Sequence, residues 1–209
     1  MMKAVCIIPA YNEEKTIADV IDVVKSVDII NKVIVVSDGS TDNTATIARN
    51  HGAIVYELKE NKGKGAAVKI GVDNADSELI LLLDADLIGL TKEHVVDLLN
   101  PVLRDEADMT IGIFAKGRFA TDLAQFVAPH LSGQRAVKKE IITKINNIDI
   151  TRYGIEVALT KSVEREGYRV VNVELKDLTH IMKEEKLGFR KGFAARMKMY
   201  WDILRCLKM

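Results

Sequence analysis

The sequence has no long apolar run. The longest, such as Leu79–Leu83, reach five residues, far short of the roughly 20 a membrane-spanning helix needs. Cysteine is scarce, and Cys6 and Cys206 make no disulfide framework. Cys6 sits in an apolar run and reads as a small buried hydrophobe. A reducing, cytoplasmic compartment is therefore expected. The start, MMKAVCIIPAYNEE, holds one lysine and too short an apolar stretch for a signal peptide. Neither sign of charge is in excess: thirty Lys and Arg balance thirty Asp and Glu. That balance argues against a general nucleic-acid binder.

What is present suits one folded domain. The 209 residues are 48% hydrophobic and 29% charged, enough for a full core under a solvated surface. The N-terminal half alternates strand and helix. Ala4–Pro9 is a near-continuous apolar run, as in a parallel strand covered on both faces. From Glu13 to Val27 the period changes, with Ile17, Val20, Ile21 and Val24 on one helical face. Strands are expected at Val33–Val36, Ala53–Leu58, Glu78–Leu83 and Ala107–Ile113, and helices at Thr41–Asn50, Gly65–Asn74 and Thr91–Leu103, the last capped by Thr91. Such alternation implies a parallel sheet with right-handed crossovers. Further on, Phe119–Val127, Ser132–Ile145 and Thr151–Glu166 read as helical, Arg169–Leu175 as a strand, and Glu184–Met209 as a long helix.

Ligands of open parallel sheets bind beyond the carboxyl ends of the strands. Polar clusters gather at those ends. Pro9, Ala10, Tyr11, Asn12 and Glu13 follow the first strand, and Ser37-Asp38-Gly39-Ser40-Thr41-Asp42 the second. Asn61-Lys62-Gly63-Lys64-Gly65 precedes the third helix, and Asp84-Ala85-Asp86 follows the fourth strand. Each alone reads equally as turn and cap residues; four on one rim point to a ligand. Two standard phosphate loops do not fit. No G-x-G-x-x-G follows the first strand, and Gly63-Lys64-Gly65-Ala66 lacks the Ser or Thr of a P-loop.

The segments P-A-Y-N-E-E, V-S-D-G-S-T-D-N-T, N-K-G-K-G-A-A and L-L-L-D-A-D, in this order over roughly residues 3–90, resemble the nucleotide-sugar-binding half of family 2 glycosyltransferases. The later half is similar to a subset that includes glucosyl-3-phosphoglycerate synthases and polyprenyl-phosphate sugar synthases. The resemblance implies the GT-A fold. It implies Asp86 as the main ligand of Mg2+ or Mn2+, Asp84 near the ribose or metal-bound water, and Asp38 at the base. Pro9, Tyr11 and Glu13 would line the same pocket. Lys64 offers a cation to the diphosphate or ribose, and Gly63 and Gly65 let backbone come close. A hard divalent cation on oxygen ligands suits a leaving diphosphate.

In related enzymes a histidine after a late strand completes the metal site, which singles out His180; its alternative is a hydrogen-bonded loop histidine. His51 stands at a helix end, and His94 is expected to be exposed in a first turn. Gly117-Arg118-Phe119-Ala120-Thr121 looks like an acceptor loop, in which an arginine grips a phosphate bidentately. Leu131-Ser132-Gly133-Gln134-Arg135 resembles another substrate loop. There Ser132 is equally a helix cap, and Arg135 is either a phosphate ligand or a surface helix residue. Glu156, in a Y-G-x-E sequence, would orient an acceptor hydroxyl or act as base, or serve the helix dipole. From Lys183 to Met209 eight basic residues face three acidic ones, 8 − 3 = +5. This amphipathic tail would pack on its own domain or a second copy, or lie on an anionic membrane.

The reading is an α/β domain over 1–209, a GT-A-like three-layer sandwich with a mostly parallel central sheet. Residues 1–90 form the nucleotide-sugar half, and 91–209 the acceptor half and C-terminal helix. The expected activity is metal-dependent sugar transfer from a nucleotide diphosphate sugar, of UDP-glucose or GDP-mannose type, to a phosphorylated acceptor such as 3-phosphoglycerate or polyprenyl phosphate. Two rivals remain. A sugar-phosphate nucleotidylyltransferase would want a glycine-rich loop after the first strand. A non-catalytic nucleotide-binding module would have no need of both Asp84 and Asp86.

Overall fold

The computed structural model describes residues 3–114, 132–145 and 155–180. In chain order the elements are β1 (Ala4–Ala10), α1 (Ile17–Lys25), β2 (Ile30–Ser37), α2 (Thr44–Asn50), β3 (Ile54–Glu57), α3 (Lys64–Asp73), β4 (Leu79–Leu82), β5 (Leu87–Ile88), α4 (Lys92–Leu103), β6 (Met109–Phe114), β7 (Arg135–Lys138), α5 (Lys139–Thr143), α6 (Ile155–Glu166), β8 (Val170–Leu175) and β9 (Thr179–His180). Seven strands form one sheet in the order β3-β2-β1-β4-β7-β6-β8. Pairs among β1 to β4 are parallel, β6 and β8 are parallel, and β7 runs antiparallel to both β4 and β6.

The three layers follow from strand alternation. On one face Ala4, Cys6 and Ile8 meet Ile17, Val20, Ile21 and Val24 of α1 and Val95, Leu98 and Leu99 of α4. On the other, Val5 and Ile7 meet Ala67, Val68 and Val72 of α3, Ile141 of α5, and Ile155, Leu159 and Val163 of α6. Successive side chains of a strand point to opposite faces, so a strand between two helix layers is apolar at every position. Ala4 to Ile8 are fully buried. Cys6 is among them, and burial pushes its thiol far above the ordinary range, leaving it an inert hydrophobe.

Several expectations need correction. Ser132–Ile145 is not one helix: Arg135–Lys138 is a strand and only Lys139–Thr143 is helical. Ala136 and Val137 are each fully buried, one on each face of the sheet, and four residues are too few for periodicity to separate strand from helix. The helix expected from Thr41 starts at Thr44: Thr41 N–H donates to Asn12 Oδ1 at 2.8 Å, and Asp42 accepts from Glu14 N–H on Oδ2 and from Thr44 N–H, at the helix start, on Oδ1. Expected as exposed, His94 is buried. It completes a capping box with Thr91, each backbone N–H donating 3.3 Å to the other's side chain. His51 does end α2, with Nδ1 2.8 Å from Asp22 Oδ1. The two-stranded ribbon β5–β9 was beyond sequence patterning.

Register places the loops. Ala10 lies opposite Ser37 and Ile7 opposite Leu82, so β1, β2 and β4 end near one level. Because β7 is antiparallel, its beginning, not its end, meets that rim: Arg135 lies opposite Leu82. The late segment Ser132-Gly133-Gln134 therefore arrives beside Asp84.

Candidate active site

The rim is built from loops that hydrogen-bond one another. Asn12, at φ 56°, donates its N–H to Ser40 Oγ at 3.1 Å, and its own Oδ1 accepts from Thr41. The N–H of Glu13 donates to Thr44 Oγ1 at 2.8 Å. Asn43 donates from both its backbone and its side chain to Glu14 Oε2. Each loop thus satisfies the other's orphan groups at a helix start. Tyr11 stands half exposed at the edge.

Asp38 is buried, and its two carboxylate oxygens accept the N–H groups of Lys62 and Gly63 at 2.7 and 2.8 Å. It therefore braces the Asn61–Gly65 loop from below. Gly39 lets the loops touch: at φ +70°, a Cβ here would lie 2.6 Å from Asn61 N. Gly63, at φ +96°, turns the chain into α3.

Lys64 opens α3 with its Nζ 2.5 Å from both Asp84 Oδ1 and Glu156 Oε1. Asp84 lies just past β4, whereas Glu156 is buried in the first turn of α6. Burial alone would lower the affinity of Lys64 for its proton. The two carboxylates outweigh it and raise the value well above the ordinary lysine range, so the group is a cation at any physiological pH. A small cavity is lined by Pro9, Lys64, Leu83, Gly133, Arg135 and Glu156.

Arg135 is not a surface helix residue. It is fully buried on β7, with Nε donating to Ser132 O at 2.8 Å and Nη1 to Thr160 Oγ1 at 3.0 Å. Burial lowers its pKa to about 10 against the opposing pull of Glu156 and Asp84, so it too stays charged. Nor does Ser132 cap a helix: its Oγ donates 2.5 Å to Gly112 O.

Asp86 is half-buried in the turn between β4 and β5. The ribbon β5–β9 sets His180 opposite Leu87, one residue beyond Asp86, although 94 positions separate the two in the chain (180 − 86). Among the described residues no group of three or more His, Cys, Asp or Glu makes a self-contained metal cage. The acceptor-loop residues Gly117, Arg118 and Thr121, and the tail from 181 on, lie outside the described residues.

Two contributions escaped the sequence reading. Gln134 donates from Nε2 to Asp84 Oδ2 at 2.8 Å, and Gly133 packs so closely that a Cβ would lie 2.5 Å from Asp84 Oδ2 and 2.6 Å from Lys64 Nζ. The only signal for either was the Ser-Gly-Gln-Arg string itself.

Comparison with known proteins agrees with this geometry. The family model described as Glycosyl transferase family 2 matches residues 5–159. The structure is similar to glucosyl-3-phosphoglycerate synthase from Mycobacterium tuberculosis, solved with Mn2+, UDP and glucosyl-3-phosphoglycerate. The TM-score is 0.79 at 25% identity, covering 99% of this chain and 78% of that one. The same enzyme with Mn2+, UDP and phosphoglyceric acid gives 0.81 at 25% identity, covering 99% and 77%. In sequence, 4,4'-diaponeurosporenoate glycosyltransferase of Staphylococcus aureus (strain USA300) is 39% identical over 99 residues, 45% of this chain and 26% of the relative. The chain thus spans about a quarter of the length of the curated relatives it matches.

Proposed function

The chain belongs to glycosyl transferase family 2, and on that premise we propose that it transfers a sugar from a UDP-sugar, of the UDP-glucose type, to a small phosphorylated acceptor of the 3-phosphoglycerate kind. The observation that carries the reading is the Lys64 cation held between Asp84 and Glu156 at the strand ends, in a fold shared over nearly the whole chain with an enzyme solved with UDP and phosphoglyceric acid.

The reaction breaks the bond from the anomeric carbon to the diphosphate and forms one to an acceptor oxygen, whose proton passes to the departing diphosphate or to water. Asp38 and the loop it braces bind the base, with Pro9, Tyr11 and Glu13 beside it. Lys64 and Gly63 meet the diphosphate end of the donor. Mg2+ or Mn2+ would be held by Asp86 and His180, with Asp84 nearby, and when bound would neutralise charge on the departing diphosphate. Two protein ligands suffice where donor oxygens and water would complete a hard cation's shell. Glu156, tied to Lys64, orients the acceptor hydroxyl. Arg135 sustains the positive field behind both carboxylates, and Arg118, with Gly117 and Thr121, takes the acceptor phosphate. No helix among the described residues is long and apolar enough to cross a membrane, and the soluble acceptor is the one supported by the structural likeness.

The test is release of UDP from UDP-glucose with 3-phosphoglycerate and Mn2+, against each component omitted. Metal-dependent release that needs the phosphorylated acceptor supports the reading. Release only with unphosphorylated sugars, or formation of UDP-glucose from UTP and glucose 1-phosphate, replaces it with another.

A further inference from the structure

Gln134 is 1% exposed, and each of its polar groups has a polar neighbour within hydrogen-bond reach. Its carbonyl accepts from Gly112 N–H at 2.8 Å. The backbone N–H donates to Ser132 Oγ at 3.3 Å, and Oε1 lies 3.0 Å from the same hydroxyl. That leaves Nε2, aimed at Asp84 Oδ2 at 2.8 Å. The amide has one sensible orientation, because its oxygen turned towards a carboxylate would repel it. With Lys64 on Oδ1, both Asp84 oxygens are held by a donor. Gly133 closes the third side, since any Cβ there would collide with both Oδ atoms.

We propose that Gln134 is a positioning residue for the donor site: it fixes the rotation of the Asp84 carboxylate, with Ser132 anchoring the amide to β6 through Gly112. The inference rests on the donor-site reading above. Mere packing would not require an amide, and a buried amide is costly unless its donors are used. The two anchors are unequal. Ser132 has one proton, and its shorter contact is to Gly112 O at 2.5 Å rather than to Gln134 Oε1 at 3.0 Å. Losing the Ser132 hydroxyl should therefore cost less than losing the amide.

The test uses the full chain and two substitutions, Gln134→Met, which keeps the side-chain length without N–H donors, and Ser132→Ala. UDP binding with Mn2+ is measured by calorimetry, with thermal unfolding beside it. Gln134→Met should weaken UDP about tenfold to hundredfold, as removal of an outer partner of a ligand-holding group does. Ser132→Ala should weaken it about threefold, and the double variant should lose no more than Gln134→Met alone. In turnover, the loss should fall on the KM for UDP-glucose and leave that for the phosphorylated acceptor within about twofold. UDP affinity unchanged in Gln134→Met, or equal losses on both substrates, would overturn the proposal while leaving the glycosyltransferase reading intact. If Gln134→Met does not fold, Ser132→Ala decides, and undiminished UDP affinity there overturns it. Failure of the unsubstituted chain to bind UDP at all would sink the reading and this inference together.

Discussion

At the scale of single residues, the site is a charge arrangement with little slack. Lys64 separates two carboxylates that would otherwise face each other across a partly buried space. Lys64→Met should lower kcat/KM at least about a hundredfold, since it removes the cation proposed to meet the donor and the ion-pair partner that Asp84 and Glu156 share. Steady-state kinetics with UDP-glucose checks this, with circular dichroism confirming the fold. Asp38→Ala should weaken UDP binding more than about tenfold by calorimetry, because it removes the acceptor of the Lys62 and Gly63 N–H groups as well as the proposed contact to the base. Equal affinity would move the base pocket elsewhere. Gly133→Ala inserts a methyl where 2.5 Å is available. The resulting shift should destabilise the chain by about 1–3 kcal/mol and weaken donor binding by more than that loss of folding explains.

At the scale of elements, the end of the sheet opposite the rim adds a charge cluster to its apolar contacts. Asp108, just before β6, accepts from Arg169 N, Nε and Nη2 at 2.9, 3.2 and 3.0 Å and from Lys138 Nζ at 2.7 Å. It thereby joins the starts of β6 and β8 to the end of β7. The Arg169 hydrogen bonds, then Lys138, hold its carboxyl well below the usual range against the effect of burial. A depressed folded pKa contributes stability that is present above the unfolded value, about 3.9, and is lost as pH falls from there towards the folded value. Asp108→Asn should therefore destabilise by about 1–2 kcal/mol at pH 7, discounted for its solvent-screened partners. The gap from the unsubstituted chain should narrow between roughly pH 4 and 2. Thermal melts across that range decide it, and a gap independent of pH would show that the ion pairs contribute nothing.

At the scale of the whole molecule, the metal-site expectation depends on distant segments meeting. Asp86 follows the fourth strand, and the backbone of His180 comes opposite the next residue, Leu87, because β8 runs parallel to β6 and the chain then returns to pair with β5. Asp86→Ala should abolish turnover, by at least about a thousandfold, with thermal stability nearly unchanged. His180→Ala should raise the Mn2+ concentration needed for half-maximal turnover about tenfold or more. Normal metal dependence in both variants would misplace the site. The core beneath is common to all of this: Leu81 is fully buried on β4, three residues before Asp84. Leu81→Ala should cost about 2–5 kcal/mol in urea unfolding.

What the sequence determined by itself was local and periodic. Ala4–Ala10 is apolar at every position because both its faces are covered. Ile17, Val20, Ile21 and Val24 keep a helical spacing because α1 buries one stripe. Apart from the short β5, the order of strands and helices down to β6 followed from these patterns, and so did the rim that carries Pro9, Asp38, Lys64 and Asp84, since parallel strands end on one side. Tertiary structure alone decided the rest. Arg135–Lys138 is a strand because a gap between β4 and β6 needed an antiparallel partner, and no four-residue pattern encodes a gap. That insertion buried Arg135, which the sequence left as either a phosphate ligand or a surface helix residue, and delivered Gln134 to Asp84 across 50 residues of chain. Long-range pairing is set by which edges remain open after the local elements have formed, and that is a property of the assembled sheet rather than of any segment in it.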